Sequence, residues 1–195
     1  MEKLKMNNVD QLIAIAQERL RQSPIDTAHG LAHHQNVHNN CLEIIKSEGL
    51  NVDLDVIRIA AWWHDVESQV GDTNILRIEM EKLGFPTDQV ERVLQIISEH
   101  SFGNSQSSIE AKVLYDADKI EYFNPERIQQ AIDDNLNGDM TDATLKKHCL
   151  SWIKRSDHVL SNFHFEYSRI IATRNFIETK QLIDSIVLSK GVIDE

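Results

Sequence analysis

Apolar residues recur along this chain at helical rather than alternating spacing, and cap and stop signals punctuate them throughout. Val9, Leu12, Ile13, Ala16 and Leu20 share one face of a first predicted helix, with Asn8 as its N-cap, Gln11 three residues on and Ser23-Pro24 as its stop. A second helix is predicted from about Leu31 to Ser47, closed by Gly49 in the left-handed position that ends many helices. Asp53 caps a third, which carries Val56, Ile57, Ile59 and Ala60 and ends in Trp62-Trp63-His64-Asp65. Gln69 to Thr73 reads as a polar loop and Ile75 to Leu83 as a helix stopped by Gly84. Val90, Val93, Leu94, Ile96 and Ile97 line a helix that ends at His100. Ser107-Ser108-Ile109-Glu110 fits a capping box for a helix from Ile109 to about Tyr115, and Asn124-Pro125 pairs an N-cap with a proline in the first turn. Gly138 breaks the next segment. Beyond it, the stretch through Trp152, Phe163, Phe176 and Ile183 reads as one or two long helices. The expectation is an all-α, compact single domain over residues 1–195.

With 195 residues the chain can enclose one sizeable core. Its 20 Lys and Arg against 31 Asp and Glu give a formal net charge of −11, which argues against nucleic acid polymers and anionic membranes as partners. Cys41 and Cys149 have no metal-knuckle or redox spacing, and no stretch reads as a membrane span or signal peptide. The expectation is therefore a soluble cytoplasmic protein with reduced thiols.

The chemistry concentrates where a buried apolar run ends in His64-Asp65. Side by side, an imidazole nitrogen and a carboxylate oxygen can bind a single divalent ion. Residues 28–38 add four of the nine histidines. In a helix His29 and His33 would share one face, and His34 and His38 its neighbour, each pair four residues apart. Asp118, at the end of another apolar segment, needs a cation if it is buried, since an unpaired buried carboxylate is costly. Asp116, two residues earlier, points elsewhere on the helix.

The ordered set His33, His64-Asp65 and Asp118 resembles the H…HD…D signature of the HD-domain superfamily of metal-dependent phosphohydrolases. The local wording agrees: HGLAH around the first histidine, AAWWHDV around the pair, EHSFG at His100 and EAKVLYDADKI around the last aspartate. The resemblance is to small stand-alone HD hydrolases and covers about residues 25–178. It implies that His33, His64, Asp65 and Asp118 bind one divalent ion, Mn or Mg before Fe, Co, Ni or Zn, with open positions for water and a phosphoryl oxygen. It further implies that Glu67 and His100 act as proton-transfer groups, that Lys119 neutralises substrate phosphate unless it is a plain surface lysine, and that His29 contacts substrate. The implied activity is hydrolysis of a phosphomonoester or phosphoanhydride bond in a small phosphorylated substrate such as a nucleotide. Alternatives on the same helices are a di-iron oxygenase and a non-catalytic nucleotide or metal sensor; a homodimer is left open. Ser68-Gln69 stands where guanosine-tetraphosphate hydrolases carry a Glu-Asp pair, and Asn36 where relatives often carry an arginine. Trp62, Trp63, Phe163, Phe165, Tyr167 and Phe176 are expected to pack the core.

Overall fold

In the computed structural model, which describes residues 6–22, 29–71, 73–136 and 142–189, the secondary structure is helical and no strand occurs among the described residues. The helices are α1 (Asn8–Gln22), α2 (Leu31–Glu48), α3 (Leu54–Trp63), α4 (Val66–Val70), α5 (Ile75–Lys82), α6 (Thr87–Glu99), α7 (Ile109–Tyr122), α8 (Pro125–Leu136), α9 (Asp142–Ser161) and α10 (Glu166–Ser189). Contacts divide the chain into two compact units, Met1–Asp118 and Lys119–Glu195. None of the described helices is long and apolar enough to cross a membrane.

In the first unit α3 is the central element and packs against α1, α2 and α6. Val56, Ile57, Ile59, Ala60, Ala61, Trp62 and Trp63 are all buried, so the last five residues of α3 are apolar on every side, while Asp55 and Arg58 give its first turns a polar edge. Asp53 starts it: its Oδ1 accepts from the backbone N–H groups of Asp55 and Val56 at 3.1 and 3.2 Å, satisfying two donors that a helix start leaves without partners. Asp53→Ala is expected to lower stability by about 1 kcal/mol, with Asp53→Ser retaining most of it. Urea unfolding of the two variants checks this, and an unchanged midpoint for the alanine variant would remove the cap from the energetics.

The predicted face of α1 is buried as read, residue for residue. Its cap is not. Asn7 rather than Asn8 accepts from Asp10 N, while Asn8 Nδ2 donates to Leu83 O at 2.7 Å. Gly49 ends α2 at φ 63°, its N–H turned back to the carbonyls of Ile45 and Lys46. The polar loop expected at Gln69 to Thr73 is partly helix, since α4 runs to Val70. α7 starts from Ser108, whose hydroxyl accepts from Ala111 N at 3.1 Å. Ser107 instead bonds Glu99, so the cap lies one residue later than the capping-box reading put it. The same helix continues to Tyr122, well past Tyr115.

In the second unit Asn124 Oδ1 accepts from Glu126 N at 3.0 Å, and Pro125 opens α8 as expected. Trp152 stacks on Tyr122 and on Phe176, each with ring centroids 5.7 Å apart, and donates to Tyr122 O. Gly138 and Ser23-Pro24 lie outside the described residues.

Candidate metal centre

Four helix ends and one helix interior supply the side chains. His33 sits in the first turn of α2, His64 follows the last residue of α3, Asp65 precedes α4, His100 follows α6 and Asp118 lies within α7. His64 and His100 are built alike. Each stands where a helix leaves carbonyls without intrahelical partners, and each directs Nδ1 to the carbonyl three residues back, Ala61 O for His64 (2.9 Å) and Ile97 O for His100. A carbonyl only accepts, so Nδ1 carries the proton and Nε2 is turned away from the helix toward the cluster.

His33 Nε2 and His64 Nε2 face each other at 3.0 Å. Asp118 Oδ1 lies 3.5 Å from His33 Nε2 and 3.9 Å from His64 Nε2, and Asp65 Oδ2 lies 4.0 and 3.5 Å from the same two atoms. Among the described residues, His33, His64 and Asp118 form the one group whose donor atoms all lie within 4.8 Å of one another. Two ligand atoms bound to one ion at ~2.1 Å are ~3.0 Å apart at a right angle and ~4.2 Å apart in a line. His33, His64 and Asp118 have separations within that range, so these three donors fit one divalent ion, with Asp65 near both imidazoles but outside the group. Two neutral imidazoles with a carboxylate form a mixed nitrogen and oxygen set of intermediate hardness.

Charge is distributed to match. Burial lowers the His64 pKa, keeping the ring neutral as a ligand must be. Burial alone would raise the Asp65 carboxyl, but the imidazole of His64 and the hydrogen bond from His100 outweigh it and hold Asp65 below the ordinary carboxylate range. His100 goes the other way: burial opposes its charged form, yet the Asp65 hydrogen bond and the Asp118 charge raise its pKa. Its Nε2 lies 3.5 Å from Asp65 Oδ1, so the Asp65 carboxylate is shared, one oxygen toward the imidazole pair and the other toward His100.

The remaining residues named from sequence are placed as follows. His29 lies ahead of α2 rather than on it, and its ring still meets His33 edge to face at 5.6 Å. Glu67 Oε1 accepts from Leu76 N at 3.0 Å and so caps the start of α5. Lys119 follows Asp118 on α7 and is 5% exposed, which removes the plain surface-lysine reading. Asp116 is fully buried.

Three features of the site were not read from the sequence. His34 is fully buried with its ring against that of His64, centroids 4.5 Å apart, and burial, then the neighbouring His64, lower its pKa to about 3. It is a neutral wall behind the ligand; adjacency to His33 was the signal available. Asn40 Nδ2 donates to Ala117 O at 3.3 Å and ties α2 to the residue before Asp118. Tyr115, one turn ahead of Asp118, has its hydroxyl pushed up to about 12 by burial and by the carboxylates of Asp116 and Asp118.

Two buried imidazoles and the buried Asp118 carboxylate, with Asp65 beside them, are carried by helices that start and stop around them and form a candidate divalent-ion site in an all-α protein. The sequence model of the HD domain family matches residues 25–122, and the chain belongs to that family. A search of curated proteins matches none. Similar solved structures include a Lactobacillus plantarum protein, 17% identical over 98% of this chain and 100% of that one, with a TM-score of 0.74. Bacillus subtilis YpgQ in complex with ADP is 20% identical over 95% of this chain and 100% of that one, TM-score 0.70. An HD-superfamily hydrolase from Bacillus thuringiensis is 18% identical over 95% and 97%, TM-score 0.69. These likenesses show a shared fold.

Proposed function

We propose that the protein is a metal-dependent phosphohydrolase that cleaves a phosphoanhydride or phosphomonoester bond in a nucleotide or a related phosphorylated metabolite, with Mn or Mg as its ion. The observation that carries this reading is the meeting of His33, His64 and Asp118 at separations that suit one divalent ion, with Asp65 Oδ2 3.5 Å from His64 Nε2. An ion held there supplies Lewis acidity for a phosphoryl oxygen and makes nearby water more acidic. The chain itself contributes orientation and proton control. Ala61 O fixes the His64 imidazole with its proton on Nδ1, and His100, with Nδ1 bound to Ile97 O, carries a second proton at Nε2 beside Asp65 when it is the imidazolium, from where that proton can pass to a leaving oxygen. In a chain of net charge −11, a phosphorylated substrate needs such a local cation. The likeness of fold to YpgQ, which was crystallised with ADP, supports a nucleotide as the substrate class.

The test is turnover of a panel of phosphorylated metabolites by the full-length protein with Mn, Mg, Co or Fe, alongside metal analysis. Release of phosphate or pyrophosphate from a nucleotide, abolished by chelator, with about one ion per chain is the expected result. Absence of turnover across the panel with every metal would overturn it, and two irons per chain with oxygen consumption would install an oxygenase in its place.

A further inference from the structure

The segment between α6 and α7, residues 101–107, is irregular in backbone but heavily braced. Glu99 accepts from both the N–H and the hydroxyl of Ser107. Gln106 Nε2 donates to Glu99 O and to Asn104 O at 2.8 and 2.7 Å. Asn104 Nδ2 donates to Ser98 O at 2.8 Å, and Asn104 N closes a turn on Ser101 O, with Gly103 at φ 86° allowing the turn. Fixing that many polar side chains costs conformational entropy. The one large apolar side chain on this stiff loop is Phe102, and it is 47% exposed.

Single exposed aliphatic residues are ordinary, and this chain has several on helix surfaces. Phe102 differs in two respects. Among the described residues it is the one aromatic in the exposed large hydrophobic set, and it is close in sequence to a residue of the ion cluster. It follows His100 by two residues, a reach of at most ~7 Å of chain. Its ring meets Tyr115 perpendicularly, centroids 6.5 Å apart and planes at 83°. Tyr115 in turn precedes Asp118 by three residues, a rise of ~4.5 Å along α7. The aromatic pair is therefore tied through the chain on both sides to residues of the ion cluster, Phe102 to His100 and Tyr115 to Asp118.

We infer that Phe102 is the platform on which the base of the nucleotide substrate stacks while His33, His64, Asp65 and Asp118 hold the phosphate end through their ion. Every base offers a π-face, so a single braced ring selects nucleotides as a class over base-free phosphates without choosing among bases. Tyr115 acts as the positioning residue that sets the attitude of the Phe102 ring. The inference rests on the phosphohydrolase reading and adds to it the substrate class and the residue that recognises it.

The test measures binding of ADP, GDP, UDP and inorganic pyrophosphate to the Mn-loaded full-length protein and to its Phe102→Ala and Phe102→Trp variants. Phe102→Ala is expected to weaken the best-bound nucleotide about tenfold or more with pyrophosphate affinity unchanged, which is the effect of removing a stacking ring. Phe102→Trp should keep nucleotide affinity and show a fluorescence change with nucleotide but not with pyrophosphate. A Phe102→Ala protein that binds nucleotide as the wild type does, or that loses nucleotide and pyrophosphate alike, overturns the platform. Wild-type protein that binds pyrophosphate as tightly as any nucleotide also overturns it and leaves the hydrolase reading standing. Wild-type protein that binds none of the four overturns both.

Discussion

Asp118→Ala is expected to abolish divalent-ion binding and to lower turnover by about three orders of magnitude or more. Asp118 is a buried carboxylate whose Oδ1 lies within 4 Å of both imidazole nitrogens, and among the described residues it is the one carboxylate of the mutually close donor group. Lewis-acid stabilisation of a phosphoryl transition state is worth several kcal/mol, and each 1.36 kcal/mol is about a factor of ten in rate. The loss should appear without any assay of turnover as well. An ion that binds only the folded state stabilises it by about 4 kcal/mol at about a thousand times its dissociation constant. Adding Mn should therefore raise the melting temperature of the wild type and leave that of Asp118→Ala unmoved, with circular dichroism showing that the variant is folded. Asp116→Ala is the comparison. Asp116 is fully buried on the same helix but lies outside the donor group, so that variant should lose stability and keep its ion. If Asp118→Ala binds Mn as tightly as the wild type, the metal-centred reading is lost.

The parts of this fold that could be read from sequence are those where one face or every face of a helix is apolar. Val9, Leu12, Ile13, Ala16 and Leu20 repeat at helical spacing and are buried in α1, and the unbroken apolar run of α3 is buried throughout. Reading failed where function places polar groups inside. Asp116, Asp118 and Lys119 interrupt the apolar pattern of α7, so the helix was ended at Tyr115 although all three residues are buried and the helix runs to Tyr122. Adjacent residues of equal capping strength were also indistinguishable. Asn7 and Asn8, or Ser107 and Ser108, differ only in which backbone N–H each one meets. His33, His64, Asp65 and Asp118 could be named from the order of the motif. Their mutual distances, the sharing of Asp65 with His100 and the carbonyls that fix two tautomers depend on how far-separated helices meet. Nothing in the sequence marks Phe102, because the bonds that brace its loop join residues only after the chain has folded.

Trp63→Ala is expected to cost about 3–5 kcal/mol, a large share of the 5–15 kcal/mol that holds a domain folded. Trp63 is 1% exposed, belongs to the largest fully buried side chains of the described residues and lies on α3, against which α1, α2 and α6 pack. Two terms add. Truncation removes the transfer free energy of the indole and leaves a cavity that three neighbouring helices can close only in part. It also removes the hydrogen bond that the indole Nε1 donates at 3.1 Å to Leu12 O, a carbonyl within α1. Trp63→Phe separates the terms: it keeps most of the volume and loses the hydrogen bond, and should cost about 1–2 kcal/mol. Urea unfolding in the presence of chelator measures both without the stabilising effect of bound ion. Because Trp63 immediately precedes His64, loosening the end of α3 should also weaken the ion site, so Mn should raise the melting temperature of Trp63→Ala by less than that of the wild type. Equal unfolding midpoints for Trp63→Ala and Trp63→Phe would show that the indole ring fills no essential volume, and α3 would then not be the element that the first unit is packed around.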